Sequence, residues 1–289
     1  MKNPNIVILA GGISSRMKRV LPATVDIGPM LLQETQTKSK SMLSVGEGER
    51  PFLDYILYNI QEAGYKEVVI VVCEKDFSIR NYYEIRNGAK RFDQLSISYA
   101  TQAIPSERTK PLGTADALLE ALESKPTWRR QSFTVCNSDN LYSIKALKFL
   151  LTDGHENAMI DYDRSTLQFE PRRFEQFSVI KKDRDGFLVD IIEKPSFSDI
   201  ENAKDAKGRI GVSMNVFRFS YDKIFPILES VPLHPIRQEK ELPHAVKIMI
   251  AKHPRSIFTI PLSEHVIDLT SKEDILKVKE YLKKEFPSI

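Results

Sequence analysis

The amino-acid sequence predicts an α/β fold, a doubly wound, mostly parallel mixed sheet with helices on both faces, in three layers. Two observations carry this prediction. Short apolar runs of strand length alternate with amphipathic helical patterns along the chain, which is typical of parallel sheets that are covered on both faces. The first run, Ile6–Leu9, ends just before the glycine pair Gly11–Gly12, where the backbone is expected to leave the sheet in a sharp turn.

In the first half of the chain, four apolar runs predict strands and three periodic segments predict helices. Strands are expected at Ile6–Leu9, Val68–Cys73, Leu95–Thr101 and Ser132–Asn137, and helices at Phe52–Ala63, Ile79–Gly88 and Ala115–Glu123. The helix that begins at Phe52 has the clearest pattern, because apolar residues recur there at helical spacing. Residues Lys18–Thr37 are expected to form a long loop beside the glycine turn.

The second half continues the same alternation. Extended runs are expected at Gln176–Lys181, Phe187–Ile192, Val212–Phe219 and Ser256–Ile260, and helices at Tyr221–Glu229, Pro243–Lys252 and Ser271–Glu285. We interpret the 289 residues as one domain, 1–289. Its first half covers about residues 1–150 and its second half about residues 151–289.

Composition and charge argue against several classes of function. The apolar fraction of 42% and the charged fraction of 28% are ordinary for a soluble globular protein. A net charge of +3 is too small an excess to indicate a nucleic-acid partner. Cys73 and Cys136 each lie in an apolar run, which favours buried thiols in a reducing cytoplasm. No apolar run has the length of a membrane span or resembles a signal peptide, so we expect a cytoplasmic protein without membrane contact.

The loops after the first, third and fourth strands are expected to open on one edge of the sheet. These loops are Gly11–Lys40, Gln102–Gly113 and Ser138–Tyr142, and ligands of open α/β sheets bind where the carboxyl ends of the strands meet. Glycines allow peptide N–H groups to approach a phosphate, and Arg16 adds a forked cation. The pattern favours a nucleoside triphosphate site. A tight turn followed by a solvated arginine remains the alternative.

Six separated segments resemble, in the same order, motifs of the sugar-1-phosphate nucleotidyltransferases, also called sugar-nucleotide pyrophosphorylases. The segments are Leu9–Met17, Lys40–Val45, Leu112–Ala117, Asn137–Asp139, Ile192–Pro195 and His265–Asp268. The resemblance covers nearly the whole chain and implies a Rossmann-like fold of the GT-A type. Serines at positions 14, 39 and 138 replace the family's usual glycine, proline and glycine, so the chain resembles a less characterised branch.

The resemblance implies an enzyme that couples a nucleoside triphosphate to a sugar-1-phosphate with the help of Mg²⁺, in a homodimer or homotetramer. The first half would bind the nucleotide and the second half the sugar. Arg16, Lys40 and Asp139 would be catalytic, and Asp139 and Asp268 would hold the metal. The implied nucleotide-binding residues are Leu9, Ala10, Gly11, Gly12, Gln102, Gly113 and Thr114. The implied sugar-phosphate-binding residues are Glu193, Lys194 and Asn215.

Alternatives exist for the residues and for the function. Lys40 could be a solvated lysine, and Thr114, Asp139 and Asp268 could each cap the helix that follows. The chain could be a cytidylyltransferase for a phosphate such as phosphocholine, or a non-catalytic nucleotide-binding regulator. A glycosyltransferase of similar architecture is disfavoured, because Asn137-Ser138-Asp139 offers one carboxylate where two are expected.

Overall fold

The computed structural model describes residues 3–14, 16–18, 26–85, 88–170, 173 and 177–287. In this part of the chain one large mixed sheet is accompanied by a two-stranded ribbon. The strands are β1 (Asn5–Leu9), β2 (Glu67–Cys73), β3 (Ser96–Gln102), β4 (Ser132–Asn137), β5 (Asn140–Leu141), β6 (Ala158–Asp163), β7 (Ser178–Lys182), β8 (Leu188–Ile192), β9 (Gly211–Ser213), β10 (Phe217–Ser220), β11 (Phe258–Leu262) and β12 (Ile267–Asp268).

The strand order is β3-β2-β1-β4-β10-β6-β9-β7-β8, and β11 pairs with β6. The strands β3, β2, β1 and β4 are parallel, and β10 then joins β4 in the antiparallel direction. In the second half β6 and β11 are parallel, whereas β7, β8 and β9 pair antiparallel. The small ribbon consists of β5 and β12. The predicted doubly wound, mixed α/β sheet is confirmed.

Helices pack on both faces of the sheet. They are α1 (Pro29–Thr37), α2 (Phe52–Ala63), α3 (Ser78–Arg80), α4 (Thr114–Glu123), α5 (Ile144–Thr152), α6 (Phe197–Asn202), α7 (Tyr221–Ser230), α8 (Leu242–Lys252) and α9 (Asp274–Glu285). Successive side chains of β1 alternate between two hydrophobic clusters: Ile6 and Ile8 pack with α2, α5 and α9, and Val7 and Leu9 with α4, α7 and α8. This alternation produces three layers. None of the described helices has the length and apolar character needed to cross a membrane.

The predicted loop at Lys18–Thr37 is wrong in its second part, because Pro29–Thr37 is helical. Gly28 has a φ of 80° and precedes a proline in the first turn of this helix, a position where the fixed φ of proline suits a helix start. Residues 19–25 of this predicted loop lie outside the described residues.

Three further elements differ from the sequence-based prediction or were absent from it. The predicted helix Ile79–Gly88 is a short α-turn followed by a π-turn, Asn81–Ile85, and residues 86 and 87 lie outside the described part. The buried strand β6 was not predicted, because Asp161 interrupts its apolar pattern; this carboxylate is paired with Lys182 and Arg209. The helix expected after Asp139 was given no bounds, and it is α5, Ile144–Thr152.

The predicted strand Val212–Phe219 is divided into β9 and β10. Asn215 lies at the break with a φ of 54°, a left-handed conformation that ends regular strand geometry. Strand β10 pairs with β4, while β9 pairs with β7. Strand β6 pairs with both segments, so the sheet stays continuous across the break. Asn215 lines the cavity described next.

Candidate active site

A cavity of about 380 Å³ lies at the carboxyl ends of β1, β3 and β4. Residues of the second half form its opposite wall. Twelve of the fourteen predicted site residues line it: Leu9, Ala10, Gly11, Gly12, Arg16, Lys40, Gln102, Gly113, Thr114, Asp139, Glu193 and Asn215. Lys194 and Asp268 are not among its lining residues. The structure therefore brings together residues that are separated by up to about 200 positions in the chain.

Gln102 is held in one orientation at the end of β3. Its side-chain nitrogen donates to the carbonyl oxygen of Gly113 at 2.8 Å and to Oδ2 of Asp116 at 2.9 Å. Two acceptors around one atom identify that atom as the amide nitrogen. The amide oxygen therefore faces the opposite side, where it lies beside Gly11.

Gly11 has no room for a side chain. A Cβ atom built on Gly11 would lie 2.8 Å from Oε1 of Gln102, whereas a Cβ on Gly12 meets nothing within 4 Å. The close approach of the β1 turn to Gln102 thus depends on glycine at position 11.

Gly11→Ala is expected to lower the free energy of unfolding by about 1–3 kcal/mol, because the new methyl group forces Gln102 out of its hydrogen bonds. Gly12→Ala is the matched control and should change stability by less than about 0.5 kcal/mol. Chemical denaturation of the two variants and the parent protein measures this difference. Equal stability of the two variants would contradict the proposed crowding at Gly11.

Lys40 is positioned by a buried carboxylate in helix α1. Glu34 accepts hydrogen bonds from the amide and the hydroxyl of Ser44 at 2.8 and 2.7 Å, and pairs with Lys38. The hydrogen bonds to Lys38 and Ser44 outweigh the effect of burial and lower the pKa of Glu34. The segment that carries Lys40 is therefore fixed on both sides of that residue. The backbone N–H of Lys40 also donates to Oγ of Ser14 at 3.2 Å.

Ser14 is one of the serines that replace a glycine of the family pattern, and its hydroxyl makes a contact that glycine could not make. It occupies the family's glycine position with a φ of 54°, so this serine adopts the conformation that usually favours glycine. Its hydroxyl then connects the glycine turn to Lys40.

Asp139 and Lys40 form an ion pair inside the cavity, between Oδ2 and Nζ. The side chains are 14% and 19% exposed, so the pair is partly shielded from water. Asp139 does not cap the following helix, because the hydroxyl of Ser143 accepts the hydrogen bond from the amide of Ala146. Ser143, and not Asp139, is therefore the N-cap of this helix.

Asp268 lies next to Asp139 but outside the cavity lining. The amide of Leu269 donates to the carbonyl oxygen of Asp139 at 2.8 Å, and Oδ2 of Asp268 accepts from Arg173 at 2.7 Å. Burial and the Asp139 charge raise the pKa of Asp268 to about 6, although Arg173 opposes this shift. Asp268 does not cap helix α9, because its N-cap position is Glu273 and no side chain makes a cap hydrogen bond there. Asp274 accepts the amides of Thr270 and Ser271, which precede the helix.

The donor set near Asp139 suits Mg²⁺, which takes one or two carboxylate oxygens and keeps most of its waters. Asp139 is a carboxylate at the edge of the cavity, and Asp268 is adjacent to it. Among the described residues there is no cluster of three or more His, Cys, Asp or Glu side chains that could enclose a metal ion.

Thr114 begins helix α4 and contacts the second half of the chain. Its hydroxyl accepts the amide of Leu242 at 2.9 Å, so it does not act as the predicted N-cap of α4, a position held by Gly113. Gly113 has a φ of 117°, and a Cβ atom there would lie 2.6 Å from the carbonyl oxygen of Lys240. The nucleotide-side turn is therefore packed directly against residues 240–242.

The sequence did not single out Arg237, Glu239 or Glu241, which this packing brings into the cavity. Arg237 donates to Glu193 at 3.2 Å and pairs with Glu241 at 2.5 Å, and Lys110 pairs with Glu239. These residues line the cavity beside Glu193. Lys194 is exposed with a φ of 48° and does not line the cavity, whereas Arg237 does.

The cavity lies at one edge of an α/β sheet and combines a glycine turn, cations and a carboxylate. This combination is typical of proteins that bind nucleotides and transfer phosphoryl groups. The chain belongs to the nucleotidyl transferase family, whose model matches residues 6–208. The family expected from the sequence motifs is confirmed.

Curated relatives are similar over most of this chain. It is 24% identical over 263 residues to the bifunctional protein GlmU of Methanococcus vannielii, covering 91% of this chain and 54% of the relative. It is 25% identical over 225 residues to the D-glycero-alpha-D-manno-heptose 1-phosphate guanylyltransferase of Campylobacter jejuni, covering 70% and 88%. It is 23% identical over 227 residues to the glucose-1-phosphate adenylyltransferase of Thiobacillus denitrificans, covering 77% and 47%. The chain spans about half the length of the first and third relatives.

Solved structures share the fold. A UDP-glucose pyrophosphorylase complexed with UDP-glucose matches with a TM-score of 0.69 and 19% identity, over 99% of this chain and 100% of the other. A UTP-bound UGPase from Acinetobacter baumannii matches with a TM-score of 0.68 and 19% identity, over 100% and 95%. At this identity the likeness concerns the fold alone.

Proposed function

We propose that the protein couples a nucleoside triphosphate to a sugar-1-phosphate, giving a nucleoside diphosphate sugar and pyrophosphate. The observation that carries the proposal is that Arg16, Lys40, Asp139 and Glu193 line the same cavity. Two anions must meet in this reaction, so positive charge and positioning matter more than a covalent nucleophile. The names of the relatives, which include a guanylyltransferase and an adenylyltransferase of sugar 1-phosphates, support this choice of reaction.

The chemistry balances as a displacement at the α-phosphorus. A phosphate oxygen of the sugar-1-phosphate forms a bond to the α-phosphorus, and the bond from that phosphorus to the α–β bridging oxygen breaks. Pyrophosphate leaves with the electron pair of that bond. Lys40 would stabilise the charge that grows at the α-phosphate, and Arg16 would hold the β- and γ-phosphates. Asp139, with Asp268 beside it, would hold Mg²⁺, which neutralises phosphate charge when bound.

Each wall of the cavity would bind one of the two substrates. The turn at Gly11, the amide oxygen of Gln102 and the close-packed Gly113 would bind the base and the phosphates. Glu193, Asn215 and Arg237 would face the sugar of the sugar-1-phosphate on the opposite wall. The proposal names neither the nucleobase nor the sugar. A phosphate such as phosphocholine is the alternative acceptor.

Pyrophosphate release across a matrix of nucleoside triphosphates and phosphorylated sugars or alcohols, with Mg²⁺, tests the proposal. At least one sugar-1-phosphate is expected to give stoichiometric pyrophosphate. Release with phosphocholine and CTP alone would favour the cytidylyltransferase alternative. If every pair is silent while a nucleotide still raises the melting temperature, the protein is a regulator rather than an enzyme.

We also propose a cytoplasmic location, since Cys73 and Cys136 are buried free thiols and such thiols persist in reducing compartments. The expected assembly is a homodimer or homotetramer. Light scattering at micromolar concentration tests it, and a monomer would contradict it.

A further inference from the structure

Glu241 lines the cavity and has one carboxylate oxygen without a hydrogen-bond partner among the described residues. The residue is 6% exposed, and its Oε1 accepts from Arg237 at 2.5 Å. Its Oε2 is buried and has no hydrogen-bond partner among the residues that the structure describes. A buried carboxylate oxygen without a partner costs free energy, so this oxygen is suited to a hydrogen-bond donor that arrives with a ligand.

The backbone on both sides of Glu241 is held in place. The amide of Lys240 donates to the carbonyl oxygen of Leu112 at 2.6 Å, and the carbonyl oxygen of Lys240 accepts from Ala115 at 2.9 Å. The amide of Leu242 donates to the hydroxyl of Thr114 at 2.9 Å. The backbone that carries Glu241 is therefore fixed against the start of α4.

The charges around Glu241 favour a neutral or cationic hydrogen-bond donor over a phosphate group as the partner of its Oε2. Glu193 and Glu241 share one cation, Arg237, and the neighbouring Glu239 is already paired with Lys110. This part of the wall therefore has more carboxylates than cations. Such a surface repels a second anion and attracts hydroxyl or amino groups.

We propose that Glu241 is a specificity-determining residue whose Oε2 accepts a hydrogen bond from a hydroxyl or amino group of the phosphorylated acceptor. Arg237 connects Glu241 to Glu193, which places this contact on the acceptor side of the cavity. The proposal rests on the proposed function, because it assumes that a phosphorylated acceptor occupies this wall.

The test compares Glu241→Ala with the parent protein on the best sugar-1-phosphate and on analogues that each lack one hydroxyl or amino group. The parent should discriminate against one of these analogues by about 10- to 100-fold in kcat/KM, the value of a hydrogen bond to a charged group. In Glu241→Ala this one ratio should fall to about 1, while the ratios at the other positions stay unchanged. Loss of structure alone would lower all rates together and leave the ratios intact.

Two further variants keep the test decisive. Glu241→Gln keeps the shape and an acceptor oxygen but loses the charge, so its discrimination should fall by several fold. Asp190→Ala removes a carboxylate that is paired with Lys247 outside the cavity, and should keep the parental ratio. Melting temperatures confirm that each variant is folded, and Glu241→Gln decides the question if Glu241→Ala does not fold.

The outcomes separate this inference from the proposed function. Glu241→Ala or Glu241→Gln with the full parental discrimination would overturn the role of Glu241 while the transferase reaction stands. A change of discrimination among 2′-deoxy and 3′-deoxy nucleoside triphosphates, with the acceptor ratios unchanged, would also overturn it, because the contact would then be to ribose. If the parent protein transfers to no acceptor, the proposed function fails first.

Discussion

Asp139→Asn is expected to lower kcat at least about 1000-fold while the protein stays folded. Asparagine keeps an oxygen that accepts a hydrogen bond from Lys40, so the packing around the pair is preserved. It removes the negative charge that a hard cation needs, and metal assistance is worth several kcal/mol at the transition state. Steady-state pyrophosphate release as a function of Mg²⁺ concentration measures the effect.

Asp190→Asn is a suitable control for this experiment. Asp190 pairs with Lys247 and is not among the residues that line the cavity. Its loss should change kcat by less than about twofold, since exposed ion pairs contribute little. Normal turnover of Asp139→Asn with unchanged metal dependence would remove Asp139 from the proposed machinery.

Lys40→Met is expected to lower kcat by about 100- to 1000-fold, the usual effect of removing one donor that stabilises charge in a transition state. Methionine retains most of the apolar stem of lysine but carries no charge. The KM for the nucleoside triphosphate should change much less than kcat, because the contact strengthens as charge grows at the α-phosphate.

Lys247→Met provides the matched control, because it removes a lysine of another ion pair outside the cavity. Pre-steady-state measurement of the chemical step separates the loss of Lys40 from slow product release. A rise in KM with unchanged kcat would show that Lys40 only binds the nucleotide.

The sequence allowed the nucleotide side of the cavity to be predicted, since parallel strands bring their carboxyl ends to one edge. Gly11, Gln102 and Asp139 each follow or end such a strand, so their meeting depends on strand assignment alone. The apolar runs of β1, β2 and β4 are buried on both faces, which makes that assignment straightforward.

The acceptor side could not be predicted in the same way. Arg237 and Glu241 lie in a charged stretch that, as a sequence, is typical of a solvated loop. They enter the cavity because residues 240–242 dock on the turn at Gly113, and this contact spans more than 120 positions. The only local signal was proline at 243, which favours a helix start close by.

The direction of its side chain explains why Lys194 lies outside the cavity. The sequence Ile192-Glu193-Lys194-Pro195 gives no information on which of two adjacent charged side chains points inward. A φ of 48° at Lys194 turns the backbone there, so that Glu193 lines the cavity and Lys194 is exposed. The residue before a proline usually adopts an extended conformation, and this preference would not have predicted the turn.

The path of the acceptor oxygen tests the proposed reaction most directly. A sugar-1-phosphate with ¹⁸O at its three non-bridging phosphate oxygens is incubated with the nucleoside triphosphate and Mg²⁺. The masses of the products are then measured by mass spectrometry. Attack on the α-phosphorus predicts a nucleoside diphosphate sugar that carries all three labels and a pyrophosphate that carries none. Labelled pyrophosphate, or cleavage of the nucleotide without a labelled nucleotide sugar, would contradict the account.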